Sequence, residues 1–240
     1  MTPTFVDLHH HFLWGIDDGP REEAGMFRML DQAAADGIRV LAATPHITPG
    51  VQPFPWDQYR TAFSQASAYC RAKYPSLQLC TGAEILYTDH TCRLLQEGQV
   101  PTLNASRYVL VEFSPDDSFE RLLHAADELL SSGFWPVLAH AERYECLHFS
   151  LKKVQLLRSR GMLVQINARS ILRPRSFFQK RMIQRMIDHE MVDLIATDAH
   201  NLTSRGVCMT QVWQNLRARY HADDLDRMMC RGLFTPGSFE

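Results

Sequence analysis

The feature that most constrains the fold of this chain is a repeated unit, in which a short apolar segment leads into a polar residue and then a helical segment. Seven such units of roughly 30 residues follow one another in the 240-residue sequence. The run from Tyr108 to Val111 is typical, because nearly continuous apolar and β-prone residues indicate a strand buried on both faces. The repetition therefore predicts alternating parallel strands and helices.

Two architectures accommodate such a parallel sheet, a distorted seven-stranded (β/α) barrel and an open doubly wound sheet. A barrel brings the loops after all strands to one rim, whereas an open sheet gathers groups mainly at one switch point. Because residues with metal-binding side chains follow six of the predicted strands, we predict the barrel. No linker divides the chain, so we predict a single domain over residues 1–240, with a C-terminal segment, 223–240, of unassigned role.

Composition narrows the functional classes. A net charge of -2 argues against nucleic acid or a membrane surface as partner, and no apolar run approaches the roughly 18 residues that span a bilayer. The six cysteines form no C-x-x-C pair, and the N-terminus lacks the basic start and long apolar run of a signal peptide. We therefore expect a cytoplasmic protein without membrane insertion.

Histidines and carboxylates recur near the ends of the predicted strands. In the first unit, FVDLHHHFLWGIDDGP, strand alternation directs His9 and His11 to one side and His10 to the other. A lone His-x-His is often a solvated loop, but here the same residue types return at the same position of later units. The predicted site comprises His9, His11, Asp18, His46, Glu84, Glu112, His140, Asp198 and His200.

These nine side chains exceed the four to six ligands that one zinc or manganese ion takes. The set therefore predicts two or three ions, with a carboxylate such as Glu84 or Asp198 shared between a pair. Bound cations lower the pKa of water steeply, which indicates hydrolytic chemistry. The remaining histidines fall at no such positions and are interpreted as surface or helix residues: His10, His90, His124, His148, His189 and His221.

Two arginines near the predicted rim indicate what is hydrolysed. Arg143 follows His140 by three residues and Arg205 follows His200 by five. A guanidinium beside metal ions suits phosphate oxygens, and the alternative for each is a surface ion pair. The sequence contains no Cys-x5-Arg loop, Walker A motif, G-x-G-x-x-G or H-E-x-x-H. The residues thus favour metal-assisted phosphoester hydrolysis.

The motifs DLHHH, IDDGP, ATPH, GAEI, YVLVEF, PVLAHAERY and IATDAHN together resemble the PHP (polymerase and histidinol phosphatase) superfamily, from about Phe5 to Arg205. More narrowly, they resemble the manganese-dependent protein-tyrosine phosphatases of bacterial capsule and exopolysaccharide loci. The resemblance implies a distorted barrel with up to three metal ions, with the nine residues as ligands and Arg143 and Arg205 receiving the phosphate. Manganese is the expected ion, with iron, cobalt or zinc as alternatives.

The residue at the position of Glu112, at the end of the fourth strand, distinguishes the branches of this superfamily. It is commonly histidine in other branches and glutamate in the tyrosine phosphatase branch. The resemblance therefore assigns Glu112 to the catalytic site and implies a phosphotyrosine substrate, the tail of a bacterial tyrosine kinase that controls polysaccharide export. A small phosphate monoester such as histidinol phosphate and a non-catalytic regulatory module are the alternatives. The tail sequence GLFTPGSFE matches no family feature, so the homo-oligomers that some relatives form are not carried over.

The resemblance also allows an assignment of ions. One ion is expected between His9, His11, Glu84 and Asp198, and Asp18 is expected to reach a different ion near His200. His10 is expected to bind none.

Overall fold

The strands are parallel and curl into one distorted barrel. The computed structural model describes residues 3–231. Its strands are β1 (Phe5–Asp7), β2 (Ile38–Ala42), β3 (His46–Ile47), β4 (Gln78–Cys80), β5 (Glu84–Leu86), β6 (Tyr108–Glu112), β7 (Trp135–Leu138), β8 (Leu163–Asn167) and β9 (Leu194–Ala196). Each strand pairing among the described residues is parallel. The predicted α/β class and distorted barrel are confirmed.

The strands form two sheets, with the orders β1-β2-β4 and β3-β5-β6-β7-β8-β9. The sheets meet where the chain beyond β1 forms an isolated parallel bridge between His10 and Ala199. The buried carboxylate of Asp7 supports this junction, since it accepts hydrogen bonds from the backbone N–H and the hydroxyl of Thr197. The first and last strands are thereby brought side by side. The predicted site residues that follow β1 therefore lie next to those that follow β9.

The described residues hold nine strands where seven were predicted, because the second and third predicted strands are each broken. Pro45 separates β2 from β3 and has no N–H for the ladder. Gly82 separates β4 from β5, and its N–H and C=O bond instead to the Tyr59 hydroxyl at 2.9 and 3.2 Å. As a result, His46 and Glu84 begin short strands rather than following strand ends, and they pair with each other in register.

Helices cover the outside of the barrel: α1 (Glu23–Ala35), α2 (Trp56–Lys73), α3 (Thr91–Gln96), α4 (Phe119–Ser131), α5 (Leu151–Ser159), α6 (Ala168–Leu172), α7 (Phe177–Asp188), α8 (Met209–Leu216) and α9 (Ala222–Asp226). Short 3-10 turns lie at Leu103–Ala105, Ala141–Arg143 and Glu145–Leu147. The segment 203–208, before α8, is not helical. The Asn201 side chain accepts the backbone N–H groups of Thr203 and Arg205, both at 3.0 Å, and this turn competes with a helix.

Alternating residues of the strands fill two separate apolar layers. In β6, Val109 and Val111 pack in the large cluster between the sheet and the helices. Tyr108 and Leu110 belong to the smaller cluster inside the barrel. The candidate site residues instead gather at the carboxyl-terminal rim of the barrel, as in other (β/α) barrels.

The C-terminal segment begins as part of the fold. A π-helical turn, Arg227–Arg231, follows α9 and packs against β1 and β9. Leu225 of α9 and Met229 of this turn are buried, so this part of segment 223–240 packs against the first and last strands. The sequence GLFTPGSFE lies outside the described residues. Among the helices that the structure describes, none combines the length and the apolar character needed to cross a membrane.

Candidate metal centre

Imidazole and carboxylate side chains converge at the rim formed by the carboxyl ends of the strands. The structure brings the predicted residues into one connected cluster: His9, His11, Asp18, His46, Glu84, Glu112, His140, Asp198 and His200. This cluster contains three groups of residues, and within each group the ligand atoms all lie within 4.8 Å of one another. The role of these residues as metal ligands remains a prediction.

The most buried group comprises His9, His11, Glu84 and Asp198. Both histidines face this group, as strand alternation predicts, with ring centres 5.3 Å apart. Glu84 Oε2 lies 2.9 Å from His9 Nε2 and 3.2 Å from His11 Nε2. The geometry therefore gathers the four residues expected around the first ion.

The second group comprises His11, Asp18, His46 and His200. The ring of His11 stacks on that of His200, with centres 3.7 Å apart. Asp18 Oδ1 lies 3.1 Å from His200 Nε2 and 3.5 Å from His46 Nε2. The side chain of Asp18 is 58% exposed, so this group opens towards solvent.

The third group comprises His46, Glu84 and Glu112. Glu112 Oε1 lies 3.2 Å from His46 Nδ1. His140 borders this group, with Nε2 2.8 Å from Glu84 Oε1 and 3.4 Å from Glu112 Oε2. Because Glu84 belongs to two of the three groups, neighbouring ions would share its carboxylate.

The donor atoms themselves indicate a cationic ligand. Within residues 3–231, the buried Nε2 atoms of His9, His11 and His200 and the buried Oε2 of Glu84 make no hydrogen bond of good geometry. Glu84 Oε2 nevertheless lies 2.9 and 3.2 Å from the His9 and His11 nitrogens, so these atoms face one another around a common point. Buried polar atoms without well-formed hydrogen bonds are costly, and a ligand placed between them would satisfy them. Nitrogen and carboxylate donors suit divalent ions such as manganese and zinc. The donor set therefore fits a polynuclear metal centre.

The protonation states of Glu84, Asp198 and His200 also suit metal binding. Burial raises the pKa of Glu84, but neighbouring His9 and His11 outweigh burial and hold that pKa well below its usual range. The pKa of Asp198 is likewise lowered, because His9 outweighs burial. Burial and the neighbouring charge of His11 lower the pKa of His200 to about 3. The carboxylates are thus ionised and the His200 imidazole neutral, the forms that metals bind. Burial lowers the pKa of His11, but Asp17 and Glu84 outweigh burial and raise it to about 10, so a metal bound there would displace a proton.

Asp17 supports the site and was not among the predicted site residues. Its Oδ2 lies 2.7 Å from His11 Nδ1 and accepts the His46 backbone N–H at 3.1 Å. Its Oδ1 accepts the Gly19 N–H at 2.9 Å. A Cβ at Gly19 would lie 2.3 Å from the His11 carbonyl oxygen, so only glycine fits this turn. The DDG sequence is the signal that could have identified Asp17 as a turn carboxylate.

Strand β8 carries no predicted ligand but supplies two amides that hold ligands. Gln165 Oε1 lies 3.1 Å from His9 Nδ1 and accepts the His140 backbone N–H at 2.8 Å. Gln165 Nε2 donates to Asn167 Oδ1 at 2.8 Å, and Asn167 Nδ2 donates to Asp198 Oδ2 at 2.7 Å. The two polar residues alternate within an otherwise apolar strand, and this alternation is the signal that sequence reasoning missed.

Two candidate ligands sit on backbone that disfavours side chains. His140 has a φ of 34° and Asp198 a φ of 53°, both in the left-handed region where glycine is preferred. Such conformations cost about 1–3 kcal/mol each and persist where the surrounding structure holds them. Both residues therefore indicate positions at which a particular side chain is needed despite the strain.

Both predicted arginines lie at the rim and share one carboxylate. Arg143 Nη2 is 2.6 Å from Asp198 Oδ2, and Arg205 Nη2 is 3.0 Å from Asp198 Oδ1. Arg205 Nη1 is also 3.2 Å from Asp18 Oδ2. The side chains of Arg143 and Arg205 are 25% and 36% exposed. Each guanidinium thus forms an ion pair with a candidate metal ligand, and not with an acidic residue elsewhere on the surface.

The interpretation of His10 as a surface or helix residue was wrong. His10 is fully buried, and its ring packs edge-on against Phe12 at 5.6 Å. Its backbone N–H donates to Thr44 Oγ1 at 2.8 Å, and its C=O accepts the Thr44 N–H at 3.0 Å. Burial follows from the bridge to Ala199, which holds this segment inside the wall of the barrel. None of the three groups found among the described residues includes its ring nitrogens.

Curated relatives share this sequence over most of its length. Tyrosine-protein phosphatase CpsB of Streptococcus pneumoniae is 31% identical over 222 residues, which cover 90% of this chain and 91% of that protein. Tyrosine-protein phosphatase YwqE of Bacillus subtilis (strain 168) is 28% identical over 200 residues, which cover 83% of this chain and 79% of that protein.

Solved structures and a family model agree with these relatives. Crystal structures of YwqE from Bacillus subtilis and CpsB from Streptococcus pneumoniae, described as unique metal-dependent tyrosine phosphatases, match with a TM-score of 0.82 at 27% identity, covering 92% of this chain and 89% of that chain. Histidinol phosphate phosphatase from Lactococcus lactis matches at 14% identity with a TM-score of 0.57, covering 91% and 95%, a likeness of fold alone. The family "Capsular polysaccharide synthesis, CpsB/CapC" matches residues 5–232, and the chain belongs to this family.

Proposed function

We propose that this protein is a metal-dependent protein-tyrosine phosphatase that binds two or three manganese ions. The observation that carries the proposal is the convergence of buried ligand atoms from His9, His11, His200 and Glu84, with two guanidiniums at its edge. The names of the curated relatives and the metal dependence described for YwqE and CpsB support it. Iron, cobalt and zinc suit the same donors.

Bound divalent ions supply positive charge and lower the pKa of water at the site. The protein's own contribution begins with Arg143 and Arg205, whose guanidiniums converge on the two oxygens of Asp198. A phosphate beside that carboxylate receives hydrogen bonds from both arginines, which orient it and offset the charge developing on its oxygens.

Glu112 is assigned to the outer part of the centre. Its side chain is 19% exposed and lies against His46 and His140, so it reaches the side of the cluster open to a substrate. The phenol of phosphotyrosine has a pKa of about 10, and its departure therefore needs less help from a general acid than an alkyl alcohol does.

A cleft beside the second group suits the tyrosyl ring. It has a volume of about 560 Å³, within the usual size of ligand sites. Asp18 and His200 line its inner side, while Pro20, Met29 and Leu202 provide apolar surface. We assign this cleft, named the Asp18 cleft, to the aromatic side chain next to the phosphate.

The substrate in the cell is proposed to be a phosphotyrosine protein, the tail of a bacterial tyrosine kinase that regulates capsular or exopolysaccharide synthesis in the cytoplasm. Membership of the CpsB/CapC family and its link to capsular polysaccharide synthesis support this assignment.

The test compares two substrate classes on one preparation. Purified protein loaded with manganese is expected to dephosphorylate phosphotyrosyl peptides much faster than histidinol phosphate, while His140→Ala loses most of this activity. Elemental analysis of the same sample is expected to find two or three ions per chain. Intact phosphotyrosyl peptides, or equal rates for the wild-type protein and His140→Ala, would refute the proposal. A chain without tightly held ions would instead indicate a regulatory module.

A further inference from the structure

A second cleft at the rim is lined by arginines. We name it the arginine cleft after five of its lining residues: Arg143, Arg169, Arg173, Arg175 and Arg205. Its volume is about 350 Å³, and Asp198 is the one acidic residue that lines it. The whole chain carries a net charge of -2, so this concentration of positive charge does not follow from a basic composition.

The carboxylate in the cleft does not neutralise this charge. Both oxygens of Asp198 are already bound to Arg143 and Arg205. Among the interactions of residues 3–231, the guanidiniums of Arg169, Arg173 and Arg175 form no hydrogen bond or ion pair. Cations that crowd one concave surface repel one another, and the low-dielectric walls of a cleft concentrate their field. Such a surface favours an anion.

The fold fixes these three arginines relative to the metal centre. Helix α6 begins directly after Asn167, whose amide holds Asp198 at 2.7 Å. Arg169 and Arg173 are four residues apart and so lie on the same side of this segment. The backbone N–H of Arg175 donates to Gln179 Oε1 at 2.7 Å, which ties the following turn to helix α7. The arginine cleft is therefore held at a set position beside Asp198, where we assign the reacting phosphate.

We propose that the arginine cleft binds a second anionic group, a carboxylate or a phosphate, that neighbours the phosphotyrosine on the same substrate chain. The proposal rests on the proposed phosphatase function and specifies its substrate class. Arg205 lies between the two clefts, since it pairs with Asp18 on one side and lines the arginine cleft on the other. A peptide with its tyrosyl ring in the Asp18 cleft thus places neighbouring residues over the arginine cleft. Guanidinium forks recognise both carboxylate and phosphate oxygens.

The experiment measures kcat/KM for three phosphotyrosyl peptides that differ only next to the phosphotyrosine. One has neutral neighbours, one has glutamates, and one has a phosphoserine. For the wild-type protein at low salt, we expect either anionic peptide to be preferred by about tenfold, since each exposed ion pair contributes a factor of a few. The ratio between the glutamate and phosphoserine peptides identifies the source of the anion.

The double substitution Arg173→Ala with Arg175→Ala is expected to reduce the preference to about twofold. Its matched control is Arg181→Ala with Arg185→Ala, two exposed arginines of α7 that do not line the cleft, and this variant keeps the wild-type ratio. High salt should also remove the preference in the wild-type protein, because it screens exposed charges. This salt measurement does not depend on the folding of any variant.

The experiment distinguishes a failure of the proposed phosphatase function from a failure of the second anion site. If the wild-type protein does not hydrolyse para-nitrophenyl phosphate, which has no second anion, the proposed phosphatase function is wrong. If it hydrolyses that ester and dephosphorylates all three peptides with equal kcat/KM at low salt, the function stands and the second anion site is wrong. An equal preference in the wild-type protein and in the Arg173 and Arg175 double variant likewise overturns the proposal.

Discussion

Asp17 supports the candidate metal centre through its contact with the imidazole of His11. Its Oδ2 lies 2.7 Å from His11 Nδ1, which leaves Nε2 of that ring directed at Glu84. A carboxylate behind a ligating histidine fixes the ring and makes it a stronger donor. The change Asp17→Asn keeps the shape of the side chain and removes its charge. We expect the affinity for Mn²⁺ to fall about 10- to 100-fold, measured by calorimetric titration of metal-free protein.

The control for this measurement is Asp116→Asn, which removes a carboxylate from an exposed position. This variant should bind Mn²⁺ as the wild-type protein does. If Asp17→Asn also binds normally, the backbone of the first loop orients His11 without help from the carboxylate.

We expect His10 to contribute to the stability of the fold and not to catalysis. Its ring is fully buried and belongs to none of the ligand groups of the described residues. The change His10→Ala leaves a cavity, so we expect the free energy of unfolding to fall by about 2–4 kcal/mol. Turnover of a phosphotyrosyl peptide by the remaining folded protein should stay within about twofold of the wild-type rate, whereas His9→Ala should lose at least about 100-fold. Urea unfolding and a peptide assay measure the two effects.

The variant His10→Leu tests the cause of the instability. Both ring nitrogens of His10 are buried without a hydrogen-bond partner among the described residues. Leucine fills much of the same space without these atoms, so its free energy of unfolding should equal or exceed that of the wild-type protein. A loss of activity in both His10 variants as large as that of His9→Ala would show that His10 takes part in the metal centre.

At the scale of the elements, strand ends were predictable and strand breaks were not. Apolar runs followed by histidine or carboxylate identify residues such as His140 and Glu112, because parallel strands present their carboxyl ends at one edge. The break at Gly82 depends on the hydroxyl of Tyr59, which lies 23 residues earlier on helix α2. Helix α6 has five residues, and so short a helix is decided by its surroundings more than by its own sequence.

Strand β8 shows how an element without ligands organises the site. Gln165 contacts His9 through its side-chain oxygen and His140 through the backbone N–H of that residue. The change Gln165→Leu keeps the strand buried but removes both bonds, so we expect the affinity for Mn²⁺ to fall at least about tenfold. Gln78→Leu is the matched control, because Gln78 lies on β4 with an exposed side chain. Equal affinities for the two variants would contradict a positioning role of β8.

At the scale of the whole molecule, the candidate ligands join parts of the chain that are far apart in sequence. His9 and Asp198 are separated by 189 residues, and their side chains lie 3.5 Å apart. The distorted parallel barrel accounts for this convergence, which could be predicted from the repeated unit. The pairing of Arg143 and Arg205 with one carboxylate could not be predicted from the sequence. Alternation along a strand does not determine which side chains on the rim loops contact one another.

This convergence makes metal binding a stabilising cross-link. Ions that bind the folded chain and not the unfolded chain stabilise it by about 2.7 kcal/mol at 100 times the dissociation constant. For a chain of this size, about 1 kcal/mol shifts the melting temperature by roughly 2–4 °C. Removal of the ions with a chelator should therefore lower the melting temperature by about 5–10 °C, and added Mn²⁺ should restore it.

Glu84→Gln tests whether the described centre is the source of that stabilisation. Glu84 belongs to two of the three groups and is fully buried, so its loss weakens both sites at once. Chelation should shift the melting temperature of Glu84→Gln by less than half of the wild-type shift, because the second group, which lacks Glu84, is left intact. Glu97→Gln, at an exposed position of the chain, should respond as the wild-type protein does. A chelator-dependent shift of full size in Glu84→Gln would show that the stabilising ions do not depend on the two groups that contain Glu84.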